Sequence, residues 1–281
     1  MKNGFLLLGL LACTLTAQAA SFSNYYPSGF EGKIARKELR NEELKNTLFE
    51  IASYGHQTSA NGNDVLVQKC ATDNCFIHKS LGYSAARRNL FGLLDLKQDD
   101  RGYFLTDVYC EQDFVRTDVG PMKIPDNNVV NCEHTWPQSK FTAGFPDEMQ
   151  KSDLHHLYVT SSKANSARGN NPFGEVTGKP PAANCEASVI GKGMDLETNQ
   201  LTTLFTPPPA HRGNVARALF YFSVRYRMAI DRTQEATLKQ WNKEDPVTDE
   251  DIKRNDQIKD LQGNRNPFVD YPELVDLIDN F

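Results

Sequence analysis

The sequence predicts an α+β domain, and three observations carry that prediction. Two short apolar runs, 129–133 and 154–159, have strand character and are followed by a polar helix over 160–168. Amphipathic helical segments flank this unit, at 36–54 and 83–94 before it and from Asn214 onward after it. No internal repeat or low-complexity stretch divides the 281 residues. One domain is therefore more economical than two for this length.

The chain opens on a short basic start, Met1-Lys2-Asn3-Gly4, and an apolar run from Phe5 to Leu15. Ala17-Gln18-Ala19 then supplies a small-residue cleavage box. This reads as a secretory signal peptide over 1–19, leaving residues 20–281 as the exported domain. The apolar run is shorter than the ~20 residues a membrane-spanning helix needs. A periplasmic or secreted location is expected, with no membrane contact unless Cys13, in the lipoprotein-like Leu10-Leu11-Ala12-Cys13, is lipidated. A monomer is expected.

Export implies an oxidising compartment, where disulfides persist. Cys70, Cys75, Cys110, Cys132 and Cys185 remain after cleavage, an odd number that leaves one thiol over. Cys70 with Cys75 is the favoured pair, and the other pairing is open. No pair has the Cys-x-x-Cys spacing of a zinc site. The net charge of −5 argues against a protein that merely coats nucleic acid. It leaves room for an enzyme that meets phosphodiesters through a local basic patch.

Residues 20–35 read as an irregular arm. Leu39, Leu44, Leu48 and Ile51 give the first helix its apolar face, and Gly55 stops it. Residues 57–80 and 111–128 read as loops, with a strand at 103–109 between the second helix and the latter. Pro137, Gly144 and Pro146 break the stretch between the two central strands, and Gly169 stops the helix that follows. Residues 170–209 read as loop. Val215, Leu219, Phe222, Tyr226 and Ile230 then mark the clearest helix, with Arg217, Arg225, Arg227 and Arg232 expected on its solvated face. That helix is expected to continue over 238–243 until Asp245-Pro246. A charged helix over 249–261 and a short closing helix over 272–278 complete the chain.

The central unit carries the chemistry. Phosphodiester hydrolysis needs a base for water, an offset for phosphate charge and support for the leaving oxygen. A hard divalent cation on oxygen ligands serves the last two, and a neutral imidazole suits the first. Glu133 offers a carboxylate, Asn165 a carbonyl oxygen and His134 the base. Strand neighbours point to opposite faces, so Glu133 and His134 share a site only if the strand ends or twists there. Pro137 agrees with an early end.

These residues stand in Glu133-His134-Thr135-Trp136-Pro137, Asp153-Leu154-His155-His156-Leu157 and Ala164-Asn165-Ser166-Ala167-Arg168-Gly169-Asn170-Asn171-Pro172-Phe173-Gly174. Arg212-Gly213-Asn214-Val215-Ala216-Arg217 and Gln262-Gly263-Asn264-Arg265-Asn266-Pro267-Phe268 follow in order. With these stretches the chain resembles bacterial endonuclease I, the secreted or periplasmic nucleases of the ββα-metal (His-Me finger) class. The resemblance spans roughly residues 83 to 270. It implies a single domain with a central ββα-metal motif flanked by helices. It also implies a sequence-nonspecific endonuclease acting on DNA and on RNA, leaving 5′-phosphates. His134 would be the general base, Glu133 and Asn165 the ligands of Mg2+ (Mn2+ or Ca2+ substituting in binding), and Arg168 a phosphate contact. Some relatives carry a phosphate-holding arginine between the two motif strands, where this chain has none from His134 to Asp153. Lys140, Lys151 or an arginine of the helix after Asn214 are its candidate substitutes.

Other readings weigh less. His56 at a helix end, Asp153 and the pair His155–His156 are expected to be structural. A zinc hydrolase built on the pair is the outlying alternative. No Gly-x-Ser-x-Gly turn supports a serine nucleophile. Trp136 is expected in the core rather than stacked on a base. The runner-up function is a catalytically inactive exported nucleic-acid-binding protein of the same fold.

Overall fold

The computed structural model describes residues 22–60 and 62–281. The expected signal segment 1–19, with Cys13 and the Ala17-Gln18-Ala19 box, lies outside the described residues. The chain mixes helices with four small antiparallel sheets. Helices α1 (Phe30–Ala35) and α2 (Asn41–Ser53) precede β1 (Gly55–Gln57), β2 (Val65–Val67) and β3 (Cys75–Phe76). Helix α3 (Tyr83–Asn89) runs into one wide π turn, then β4 (Lys97–Asp99), β5 (Gly102–Thr106) and β6 (Asp113–Val115) form a meander. Next come β7 (Val130–His134), α4 (Asp147–Lys151), β8 (Leu157–Ser161) and α5 (Ser162–Arg168). After them stand β9 (Gly178–Lys179), β10 (Val189–Asp195) and β11 (Gln200–Thr206). The chain closes with α6 (Pro209–Tyr226), α7 (Arg232–Glu244), α8 (Asp249–Gln262) and α9 (Pro267–Asp270). No helix of the described residues is long and apolar enough to cross a membrane.

The pairing that positions the site is β7 against β8, antiparallel, with Glu133 opposite Tyr158 and His134 opposite Leu157. Its apolar face (Val130, Cys132, Leu157, Val159) packs with Ala86, Leu90 and Ile258 in one buried cluster. A larger cluster is built around α6, which is buried on nearly all sides and takes Arg217 and Arg225 below the surface with it. Leu44, Leu48 and Ile51 of α2 pack into it.

Several expectations are corrected here. The described part of the arm, 22–35, is packed rather than irregular: Tyr25, Tyr26 and Phe30 are buried, and the Tyr26 hydroxyl donates to Asp270 at 2.6 Å. The three presumed loops contain β2 and β3, β6, and β9 to β11. In the run 154–159, residues Leu154–His156 form a 3-10 turn capped by Asp153, so β8 starts at Leu157. The long helix ends at Arg227 in the left-handed region, and Asp231 caps α7 as a separate helix. Arg217 and Arg225 are not solvated. Arg217 donates to the Asp245 carbonyl at 2.8 Å and to Asn214 Oδ1 at 3.0 Å, and Arg225 donates to His78 Nδ1 at 3.0 Å. Such partners are what allow a guanidinium below the surface. Arg227 and Arg232 are exposed, as expected.

Cys70 pairs with Cys75, and Cys110 with Cys185. Among the described cysteines, Cys132 is the one left unpaired, buried on β7.

Candidate functional site

Strand β7 delivers two side chains to one cleft. Strand alternation turns Val130 and Cys132 into the core and Glu133 to the opposite face. Glu133 is only 1% exposed. Its Oε1 accepts the Tyr109 hydroxyl at 2.8 Å and lies 3.2 Å from Arg168 Nη1. Among the described residues no donor meets Oε2. Burial pushes the carboxyl above its usual value, while Arg168 and the Tyr109 hydroxyl pull it back.

His134 is the last residue of β7, so the conflict between neighbouring side chains is resolved by the strand's end. The cleft wraps around that end, holds about 480 Å³, and is lined by Glu133, His134, Asn165 and Arg168 together. The His134 Nε2 lies 3.1 Å from the Lys151 carbonyl, which can only accept, so Nε2 carries the proton. Nδ1 then has the lone pair and accepts from Gln138 Nε2 at 3.2 Å. Burial, reinforced by nearby His156, lowers the imidazole to about 3, so the ring is neutral near pH 7.

Helix α5 starts directly after β8 because Ser161 Oγ accepts the Ala164 N–H at 3.1 Å, an N-cap. The helix lies against β7, where Asn165 Nδ2 donates to the Cys132 carbonyl at 3.3 Å. With that donor engaged, Asn165 Oδ1 is left as an oxygen that no donor among the described residues meets. Arg168 closes the helix and is 2% exposed. It donates to the carbonyls of His134 (3.2 Å) and Thr135 (2.7 Å), and its guanidinium lies over the Phe173 ring at 4.4 Å. Arg168 thus straps the end of α5 to Glu133 and the residues just beyond β7.

The other sequence candidates lie elsewhere or play other parts. Lys151 Nζ sits 4.4 Å over the ring of Tyr83, which itself borders the cleft. Lys140 is exposed on the far side of Pro137. Arg217 and Arg225 are held by their own partners and do not line the cleft. His56 is buried, stacked on Tyr25 at 4.0 Å and paired across the sheet with Phe76. His155 Nε2 meets the Asn264 carbonyl at 3.0 Å and His156 Nε2 the Gln150 carbonyl at 2.8 Å. Among the described residues no group of three or more His, Cys, Asp or Glu gathers as metal ligands. Trp136 is packed in the core, stacked on Phe222 at 5.2 Å.

Three residues in or behind the cleft carry no signal in the sequence. Tyr109 reaches Glu133 from 24 positions upstream. Tyr83 comes from α3, with its ring 5.5 Å from that of His134. Gln138, four residues after His134, was readable only as a loop residue.

Comparison with known proteins finds relatives named as nucleases. Over 169 residues the chain is 34% identical to an extracellular ribonuclease of Bacillus subtilis, covering 53% of each. It is 30% identical over 129 residues to an extracellular deoxyribonuclease of Aeromonas hydrophila, covering 45% of this chain and 53% of the relative. It is 28% identical over 142 residues to an Endonuclease-1 of Buchnera aphidicola, covering 50% and 51%. The chain therefore spans about half the length of the curated relatives it matches. The model of the family described as Endonuclease I matches residues 43–273, which contain every residue of the cleft, and the chain belongs to that family.

Proposed function

We propose that this chain is an exported, sequence-nonspecific endonuclease that hydrolyses phosphodiester bonds in DNA and in RNA, leaving 5′-phosphates. The observation that carries the reading is one cleft in which a neutral His134, with Nδ1 as its acceptor, stands beside two open oxygens on Glu133 and Asn165. The relatives' names supply both substrates, since one is a ribonuclease and another a deoxyribonuclease. Their extracellular and periplasmic names favour export.

In this reading β7, β8 and α5 are the ββα-metal motif. Glu133 Oε2 and Asn165 Oδ1 would hold the ion. One carboxylate and one amide oxygen form a hard, sparsely charged set, which suits Mg2+, with Mn2+ or Ca2+ able to replace it in binding. A carboxylate pushed up by burial and left with an unmatched oxygen is consistent with a cation as its missing partner. When bound, the cation supplies neutralisation of the phosphate and support for the departing oxygen.

The protein's own residues do the rest. His134 Nδ1 takes the proton from the attacking water, exchanging the Gln138 contact for that water. The Lys151 carbonyl holds the ring and stabilises the imidazolium through Nε2–H. Arg168 and Tyr109 fix the Glu133 carboxylate in place. Arg168 could meet phosphate only by giving up part of that network, so its part here is positioning. Lys151, over Tyr83 at the cleft edge, is the basic side chain placed to meet substrate phosphate.

A plasmid digest with and without EDTA tests the reading. Supercoiled DNA should be nicked and degraded with Mg2+ and left intact with chelator. Intact DNA under both conditions would favour the inactive binding protein, and equal cleavage under both would remove the metal.

A further inference from the structure

We infer that Tyr83 is a positioning residue: the face of its ring holds the Lys151 ammonium at the rim of the cleft, ready for the substrate phosphate. The inference rests on the nuclease reading above. Lys151 Nζ lies 4.4 Å from the centre of that ring, and Tyr83 lines the cleft beside His134.

This cation is held differently from Lys45 and Lys243, which each grip a carboxylate, at 2.5 and 2.8 Å. Among the described residues Lys151 Nζ has no carboxylate or carbonyl partner. An ammonium bonded to a carboxylate must break that bond before it meets phosphate. One resting on a ring face is attracted by the ring's quadrupole and keeps its N–H groups to offer. Arg87 also borders the ring, at 5.7 Å, but it is tied to Asn127 Oδ1 at 3.2 Å.

The ring is itself fixed against the base. The Tyr83 N–H donates to a side-chain oxygen of Glu148, which shares α4 with Lys151. The Tyr83 ring packs 5.5 Å from that of His134, and the Lys151 carbonyl accepts from His134 Nε2 at 3.1 Å. Lys151 therefore holds the base with its main chain and offers a cation with its side chain. With that side chain resting on Tyr83, the spacing between base and phosphate contact is set before substrate arrives.

The test measures kcat and KM on a duplex oligonucleotide at fixed Mg2+ over a series of KCl concentrations. Wild type is compared with Lys151→Met, which leaves in place the carbonyl that holds His134. Tyr83→Phe is the reference for pentafluorophenylalanine in place of Tyr83, which keeps a six-membered ring but inverts its quadrupole. Lys151→Met should raise KM about tenfold, leave kcat within about twofold and flatten the salt slope by about 1. The fluorinated ring should raise KM about fivefold over Tyr83→Phe and flatten the slope in the same sense. In the Lys151→Met background it should change nothing further. An unchanged KM and slope with the fluorinated ring, the same change with and without Lys151, or loss of cleavage in Tyr83→Phe overturns the inference while the nuclease reading stands. So does a wild-type KM in Lys151→Met. No cleavage by the wild type overturns both.

Discussion

Two buried polar clusters lie side by side where β7 ends and β8 begins, and they treat their carboxylates in opposite ways. Asp153 accepts from the Tyr221 and Tyr226 hydroxyls at 2.8 Å each, from Gln262 Nε2 at 2.8 Å and from the His155 N–H at 3.1 Å. Burial alone would raise its carboxyl, but His78, His155, His156 and Gln262 hold it well below the usual range. Glu133 is equally buried, yet only Tyr109 and Arg168 attend it, and its carboxyl is raised. The rings of His134 and His156 are 5.4 Å apart, so distance does not separate the clusters. What separates them is spare bonding capacity facing a cleft. Donors meet both oxygens of Asp153, which holds the fold, whereas Glu133 and Asn165 each leave an oxygen for something else to meet.

Substitutions should break this contrast cleanly. The largest effect expected is on activity: His134→Ala should lower plasmid cleavage by about 10³-fold or more while leaving the urea midpoint close to wild type. Full activity in that variant would remove the assigned base. Asp153→Ala should act in the reverse sense, since it strands two tyrosine hydroxyls and an amide. A stability loss on the order of 3 kcal/mol is expected from urea unfolding. An unchanged midpoint would show that the closed cluster does not hold the fold.

The most gradual effect is that of pH. Burial lowers His78 and His211 to about 3 and His155 and His156 to about 4. The unfolded chain protonates these rings near 6.5 and the folded chain does not. Between pH 6.5 and about 4 the unfolded state therefore binds more protons, and stability falls as pH falls, by up to about 1.4 kcal/mol per pH unit for each ring. Thermal melts across this range should show a progressive drop in Tm. A flat profile would mean that these rings are protonated in the folded state.

The contrast also shows what a sequence can carry. Glu133 and His134 are neighbours, and Asn165 and Arg168 share one helix, so the site is written in two local stretches joined by a strand pair. Helix α2 was legible from its apolar spacing and its stop, and α8 as a charged helical run. The hairpin of β10 and β11 was not, because Gly191 and Gly193 interrupt its alternation. Side chains there would strike the Thr177 carbonyl and the Leu204 side chain, neighbours visible only after folding. Arg217 and Arg225 looked like surface charges for the same reason: their partners are 28 and 147 positions away. Tyr109 is the most instructive omission. An aromatic residue in a strand-like stretch gives no hint that its hydroxyl anchors the carboxylate of a candidate metal site.

The most direct measurement is Mn2+ binding followed by electron paramagnetic resonance on the wild type, His134→Ala and Glu133→Ala. One ion per chain should bind to the wild type and to His134→Ala with similar affinity, and binding should be lost or much weakened in Glu133→Ala. Unchanged binding in Glu133→Ala would contradict the claim that this carboxylate, with Asn165 beside it, is where the ion sits.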